Sequence, residues 1–266
     1  MRIDSAKSSQ VKQVAALQKK ARLRREQGVF VVEGLKMVLE APRERLLSVY
    51  ASDSFLEESG EEALKGIPFT AVSDNAFKAM ADTQTPQGVL AVVKTINWKR
   101  EDFCGKDGAL LLFLENLQDP GNLGTIFRAG EGAGVTGILM SRDTVDVYNP
   151  KVIRSTMGSI YRVPFAVCED LETVLAECRK VGITSYGAHL EGEKNYEEAD
   201  YGKSSAFLIG NEGAGLSEKL SEAADFLVKI PMEGRVESLN AAVAASVFMY
   251  EAARQRRQKQ GKINKE

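Results

Sequence analysis

Apolar and polar positions along this chain fall into blocks whose period changes. Over residues 9–26, Val11, Val14, Leu17, Ala21 and Leu23 recur at helical spacing, which predicts an amphipathic helix ended by Gly28. Short apolar runs at 29–32, 46–51, 69–72 and 89–93 predict strands. A helix should fill 35–40, and another, capped over Ser73 to Asn75, should run to Met80. Beyond residue 108 strands are expected at 109–114, 136–140, 163–167, 183–186, 206–209 and 226–230, and those at 109–114 and 206–209 are apolar throughout. A strand that is apolar at every position is buried on both faces, as in a parallel sheet. Helices are expected between these runs at 125–134 and 171–180, after Ser217, and from Ser238 to about 257. Residues 143–160 read as polar and irregular. Alternating strands and helices give an α/β fold class. The expected division is a small α/β domain over 1–96, a linker at 97–107 around the lone Trp98, and a parallel α/β domain over 108–266.

Composition narrows the class. The chain has 266 residues, enough for one large domain or two small ones. No apolar run reaches the roughly 18 residues needed to cross a bilayer, and residues 1–7 lack the apolar core of a signal peptide. The three cysteines (Cys104, Cys168, Cys178) are odd in number and lack metal-ligand spacing. A cytoplasmic protein with reduced thiols, no membrane and no metal is expected. The net charge of −2 does not advertise a polyanion partner, but its distribution is uneven. Lys7, Lys12, Lys19, Lys20, Arg22, Arg24 and Arg25 crowd the first helix. Arg254, Arg256, Arg257, Lys259, Lys262 and Lys265 crowd the C-terminus. Two basic ends suit phosphate contacts; a solvated helix face and a frayed tail account for them equally well.

Three strand-to-helix bends carry candidate chemistry. In the last, Pro231 stops the apolar strand because it cannot donate to a sheet. A loop over 232–237 follows, and Ser238 is a good N-cap for an alanine-rich helix. In the first bend, Asn122 and Gly124 stand where a loop becomes helix, and Arg128 follows within it. An amide and a cation near a helix N-terminus suit a phosphate or a sugar hydroxyl; a cap plus a solvent arginine is the plainer account. The middle bend, Gly210 to Ser217, is rich in glycine. It lacks the dinucleotide spacing, and Glu212 inside it would repel a pyrophosphate. A polar or cationic ligand fits better, and taken alone an ordinary connection fits too. The single histidine, His189, reads as surface.

In sequence, Asn122-Leu-Gly-Thr-Ile-Phe-Arg128, Gly210-Asn-Glu-Gly-Ala-Gly-Leu-Ser217 and Ile230-Pro-Met-Glu-Gly-Arg-Val-Glu-Ser-Leu-Asn240 occur in the order of the three signature motifs of the SpoU-type RNA ribose 2′-O-methyltransferases, of the SPOUT superfamily. The chain resembles that family over most of its length, most strongly over 110–257. Residues 30–34 and 83–88 resemble the substrate-binding domain, akin to an RNA-binding ribosomal protein, that precedes the catalytic domain in many of its members. The resemblance implies a parallel sheet with a C-terminal trefoil knot, S-adenosyl-L-methionine as cofactor, a homodimer, and ribosomal or transfer RNA as substrate, ribosomal RNA favoured. It implies that Gly210, Ile230, Met232 and Leu239 line the cofactor. It assigns the catalytic set to Asn122, Arg128, Glu212, Ser238 and Asn240. Arg128 would position the ribose and stabilise oxyanion charge, because guanidinium holds its proton too tightly to be a base. Lys151 and Arg154, in a segment over 149–158 that also resembles family sequence, would contact RNA phosphates; a capped helix with exposed charges accounts for them equally well. The alternative is a non-catalytic RNA-binding assembly factor that kept the fold.

Overall fold

The structure, a computed structural model, describes residues 2–263, with side chains to Gly261; Lys265 of the basic tail lies outside them. The chain forms two compact units, residues 2–97 with 146–161, and residues 98–145 with 162–263. The boundary near residue 97 falls where the expected linker begins. The expected larger domain, however, gives up residues 146–161 to the first unit.

The first unit contains β1 (Arg2–Ile3), α1 (Ser9–Lys19), α2 (Ala21–Gln27), β2 (Val29–Glu33), α3 (Leu35–Glu40), β3 (Leu46–Ser52), α4 (Asp53–Ser59), β4 (Thr70–Val72), α5 (Asp74–Met80) and β5 (Val89–Lys94). Its sheet runs β1-β4-β3-β5-β2, with β5 antiparallel to both neighbours. Val11, Val14 and Leu17 of α1 pack on Val31, Phe77 and Leu90, as the helical stripe required. The expected single helix over 9–26 is two helices, because Lys20 is extended at φ −116°, ψ 102°. The break frees carbonyls at the end of α1. Buried Arg24 takes up two of them, donating from Nη1 to Leu17 O at 2.7 Å and Gln18 O at 3.0 Å. Its other guanidinium nitrogens bind Asp146 Oδ2.

The second unit contains β6 (Leu110–Leu114), α6 (Pro120–Ala133) and β7 (Gly137–Ser141). The chain then leaves for the first unit, where it forms α7 (Pro150–Thr156). It returns as β8 (Phe165–Cys168), α8 (Leu171–Lys180), β9 (Thr184–Ala188), β10 (Lys194–Asn195), β11 (Ser205–Ile209), α9 (Glu218–Ala223), β12 (Phe226–Lys229) and α10 (Ala241–Ile263). The seven strands lie in the order β10-β12-β9-β11-β6-β7-β8, and every pairing is parallel. The central strands β6 and β11 are buried at all five positions, as continuous apolar runs demand.

Residues 143–160 are not irregular throughout as expected: 150–156 are helical. Asn149 caps α7 by accepting from Lys151 N at 2.9 Å, and Pro150 occupies the first turn, where its missing N–H costs nothing. The segment is tied to the first unit at several points. The Tyr148 hydroxyl accepts from Ile96 N at 2.9 Å, the Tyr161 hydroxyl donates to Met37 O at 3.0 Å, and the Tyr148 ring lies 4.6 Å from that of Phe30.

Candidate active site

The site is built at the carboxyl ends of β6, β9, β11 and β12, where open α/β sheets bind ligands. After β6, Asn116 adopts the left-handed conformation at φ 52°, which bends the chain sharply. Asp119 then caps α6, its Oδ1 accepting from Asn122 N at 2.9 Å, and Pro120 follows at the start of the helix. The helix thus begins five residues earlier than expected. Asn122 falls inside its first turn, buried.

The bend after β11 folds onto this turn. Asn211 and Gly215 exchange backbone hydrogen bonds at 3.0 and 2.9 Å, closing a small ring. A Cβ on Gly210 would lie 2.1 Å from Gly215 C, so any larger residue is excluded by backbone. Asn211 Nδ2 donates to Asn116 O at 2.8 Å, and Ser217 N donates to Glu115 Oε2 at 2.7 Å. Glu212 reaches across and accepts from Gln118 N at 3.0 Å, Asp119 N at 2.9 Å and Asn122 Nδ2 at 3.0 Å. Partial burial pushes the Glu212 carboxyl up. The bonds from Asn122, Asp119 and Gln118 outweigh that, and its pKa sits below the ordinary glutamate value. The carboxylate is therefore turned toward the bend after β6, where it ties the two bends together.

The third bend joins through one side chain. Asn240 Nδ2 donates to Asn122 Oδ1 at 2.9 Å, while Asn240 Oδ1 accepts from Ala242 N at 3.0 Å and Val243 N at 3.3 Å. Asn240, rather than the expected Ser238, is thus the N-cap of α10. Ser238 stands exposed two residues earlier. Both amide groups are oriented by these partners, since each has one donor and one acceptor assigned.

Behind this chain of Glu212, Asn122 and Asn240 lies a cavity of about 480 Å³. Its walls include Gly210, Ile230, Met232 and Leu239, the four residues expected to line a cofactor, together with Glu212 and Ser238. Ile209, Ala241, Ala244 and Phe248 add apolar surface. His189, expected at the surface, is half-buried and lines the same cavity, with Ala188, Leu190 and Glu191. Sequence reasoning missed this turn after β9, and it missed Asn116, Gln118, Asp119 and Asn211. Of these only the Asp119-Pro120 pair carried a local signal, that of a helix start.

Arg128 stands apart. It is exposed on α6 and, among the described residues, makes no hydrogen bond or ion pair. Six residues at about 100° each place it about 120° around the helix from Asn122, so the two point in different directions. Lys151 and Arg154 lie on α7; Lys151 is exposed, and Arg154 pairs with Asp82 at 2.9 Å. Of the C-terminal basic run, Arg256 is bound to the carbonyls of Tyr201, Gly108, Ala109 and Lys203, and Lys259 pairs with Asp200. Among the described residues, no group of His, Cys, Asp and Glu is placed to hold a metal ion. No helix there is long and apolar enough to cross a membrane.

Comparison with known proteins agrees with this geometry. Residues 109–250 match the SpoU rRNA Methylase family, and residues 8–91 match the MRM3-like substrate binding domain. The chain is 33% identical to the 23S rRNA (guanosine(2553)-2′-O)-methyltransferase RlmP of Bacillus subtilis, over 93% of this chain and 97% of that one. It is 34% identical to the 23S rRNA (guanosine-2′-O-)-methyltransferase RlmB of Xanthomonas campestris, over 80% and 89%. Among solved structures, an AdoMet-bound rRNA methyltransferase from Sinorhizobium meliloti aligns with a TM-score of 0.83 and 29% identity, covering 96% and 97% of the two chains. The SpoU methyltransferase AviRb of Streptomyces viridochromogenes, also with AdoMet, aligns at 0.84 with 27% identity, covering 94% and 98%. With the sheet, the three bends and these likenesses together, the chain belongs to the SpoU rRNA methylase family.

Proposed function

We propose that this protein transfers the methyl group of S-adenosyl-L-methionine to a ribose 2′-hydroxyl of ribosomal RNA. The observation that carries the reading is the hydrogen-bonded chain of Glu212, Asn122 and Asn240, which joins three bends beside one cavity. The residues fit the cofactor. A cavity of about 480 Å³ is in the range that holds a molecule of this size. Its apolar side chains suit an adenine. A wall made of Gly210 and its neighbours lets backbone N–H and C=O groups approach a polar ligand closely. Gly210, Ile230, Met232 and Leu239 would hold it.

When bound, S-adenosylmethionine supplies a methyl group activated by a sulfonium leaving group. The protein's own contribution is orientation, which can supply much of the rate of such a transfer. Glu212 fixes the bends after β6 and β11 against each other. Asn122 and Asn240 present oriented amides beside the cavity, and Ser238 offers an exposed hydroxyl at its edge. Arg128, charged and unpaired among the described residues, takes the ribose-phosphate backbone and stabilises charge developing on the 2′-oxygen. Its direction away from Asn122 is best met by a homodimer. Val243 and Tyr250, each 48% exposed on α10, offer apolar surface for a second copy. The first unit is the RNA-binding one, with Lys151 and Arg154 contacting phosphates after Arg154 exchanges Asp82 for the nucleic acid. The trefoil knot belongs to the same reading, supported by β12 stepping past β9 to pair on its far side. The cytoplasm is the expected compartment.

The test is methyl transfer from labelled S-adenosylmethionine to ribosomal RNA by the purified protein, with the modified nucleotide mapped. Arg128→Ala should lower transfer at least about a hundredfold, the effect of removing one oxyanion donor, while leaving S-adenosylhomocysteine binding unchanged. Normal turnover in that variant would remove Arg128 from the mechanism. Tight RNA binding without transfer by the wild type would favour an assembly factor.

A further inference from the structure

We infer that Glu191 accepts hydrogen bonds from the ribose hydroxyls of the bound cofactor, on a turn that His189 holds rigid; this rests on the cofactor reading above. The turn leaves the carboxyl end of β9, and an acidic residue beyond a strand is a common partner for a nucleoside ribose in α/β sheets. Three hydrogen bonds build it. His189 N donates to Val228 O at 3.0 Å, Glu191 N to His189 Nδ1 at 3.2 Å, and Gly192 N to His189 O at 3.1 Å. Gly192 lies so close to β12 that a Cβ would fall 2.6 Å from Val228 C and 2.8 Å from Lys229 N. The turn therefore has one place to sit.

Three carboxylates line the cavity. Glu212 is committed to Gln118, Asp119 and Asn122. Glu237 stands exposed on a stretch, 231–239, whose backbone makes no hydrogen bond among the described residues. Only the Glu191 side chain is both carried on fixed backbone and, among the described residues, without a hydrogen-bond or ion-pair partner. Its neighbour Leu190 is 62% exposed yet lines the cavity, an apolar surface suited to the purine. The sugar adjoins the purine in this cofactor, so the acceptor beside Leu190 meets the sugar. A fixed acceptor loses little entropy when it binds, which favours Glu191 over the unfixed Glu237.

Calorimetric titration of the full chain with S-adenosylhomocysteine and with its 2′-deoxy and 3′-deoxy analogues tests this. The wild type should bind at least one deoxy analogue about tenfold more weakly, the loss of a charge-assisted hydrogen bond. Glu191→Ala should bind S-adenosylhomocysteine about tenfold more weakly and no longer distinguish it from that analogue. His189→Ala, which frees the turn carrying Glu191, should weaken S-adenosylhomocysteine more than that analogue and so narrow the discrimination without abolishing it. Glu191→Gln serves as a second, size-conserving variant and should weaken the discrimination with an unchanged melting temperature. If Glu191→Ala binds like the wild type, or still discriminates against the deoxy analogue, the inference is overturned. Absence of any binding by the wild type would instead overturn the cofactor reading beneath it.

Discussion

At the scale of single residues, the site is governed by where Glu212 spends its acceptors. Two backbone N–H groups and one amide surround its carboxylate, so its charge serves to clasp two bends together. Its folded pKa lies below the ordinary value, so its contribution to stability has a definite sign. That contribution is complete above the unfolded glutamate value of about 4.3 and is lost as pH falls through the lower folded value. Glu212→Gln puts an NH₂ where donors already point. It should cost about 1 kcal/mol near pH 7, the low end for such bonds because the group is partly exposed. Urea melts of both proteins across pH should show that gap closing below about pH 4. A gap that stays constant would show that the carboxylate charge is not what holds the bends. The sequence made Asn122, Glu212 and Asn240 visible as candidates but could not orient them. Glu212 is satisfied by N–H groups more than ninety positions away. Ser238 looked like the cap of the last helix because serine is good at it. Asn240 takes the position, and the bond from its Nδ2 to Asn122 is a second anchor that no local rule contains.

At the scale of elements, continuous apolar runs announced the central strands β6 and β11, because burial on both faces leaves no room for polar alternation. The glycine-rich bend after β11 was equally visible as a bend. Its individual glycines were not, since what they must avoid comes from folding the loop on itself. A Cβ on Gly210 would meet Gly215 C and O at 2.1 and 2.2 Å, both backbone atoms that cannot swing aside. On Gly213 a Cβ would meet nothing nearer than Asn211 Oδ1 at 3.7 Å. Gly210→Ala should therefore cost about 1–3 kcal/mol and weaken S-adenosylhomocysteine binding, whereas Gly213→Ala should be nearly neutral in both. Thermal melts and calorimetry on the pair decide this; equal effects would mean that the bend is plastic and its glycines interchangeable. The helix α7 illustrates the opposite limit. Its local start, Asn149-Pro150, is readable. Its place in the first unit depends on Arg24, Phe30, Met37 and Ile96, partners more than fifty residues distant.

For the whole molecule, the question is which charges are available to a polyanion. The basic residues of the first helical region look alike in sequence, and folding divides them. Arg24 is buried, bound to Leu17 O, Gln18 O and Asp146, and so belongs to the architecture. Lys12, Lys19 and Lys20 remain exposed on the same unit. If that face tracks an RNA backbone, each lysine that neutralises a phosphate releases a counterion, and affinity falls with salt in proportion to their number. Replacing Lys12, Lys19 and Lys20 together with glutamine should weaken binding to a ribosomal RNA fragment across sequences. It should also reduce the slope of log affinity against log salt by about 0.7 for each phosphate no longer neutralised. The melting temperature should stay unchanged, because the three side chains support no packing. Arg24→Gln should do the reverse. Removing one partner of a buried ion pair costs about 3 kcal/mol, and the protein should melt earlier while any folded fraction keeps the wild-type salt slope. Filter binding over a range of salt, set beside melts of the same variants, separates the two classes. An unchanged slope in the triple lysine variant would move the RNA path off this face. On the C-terminal helix, Arg256 is bound to four carbonyls and Lys259 to Asp200, which leaves the exposed Arg257 as the next candidate.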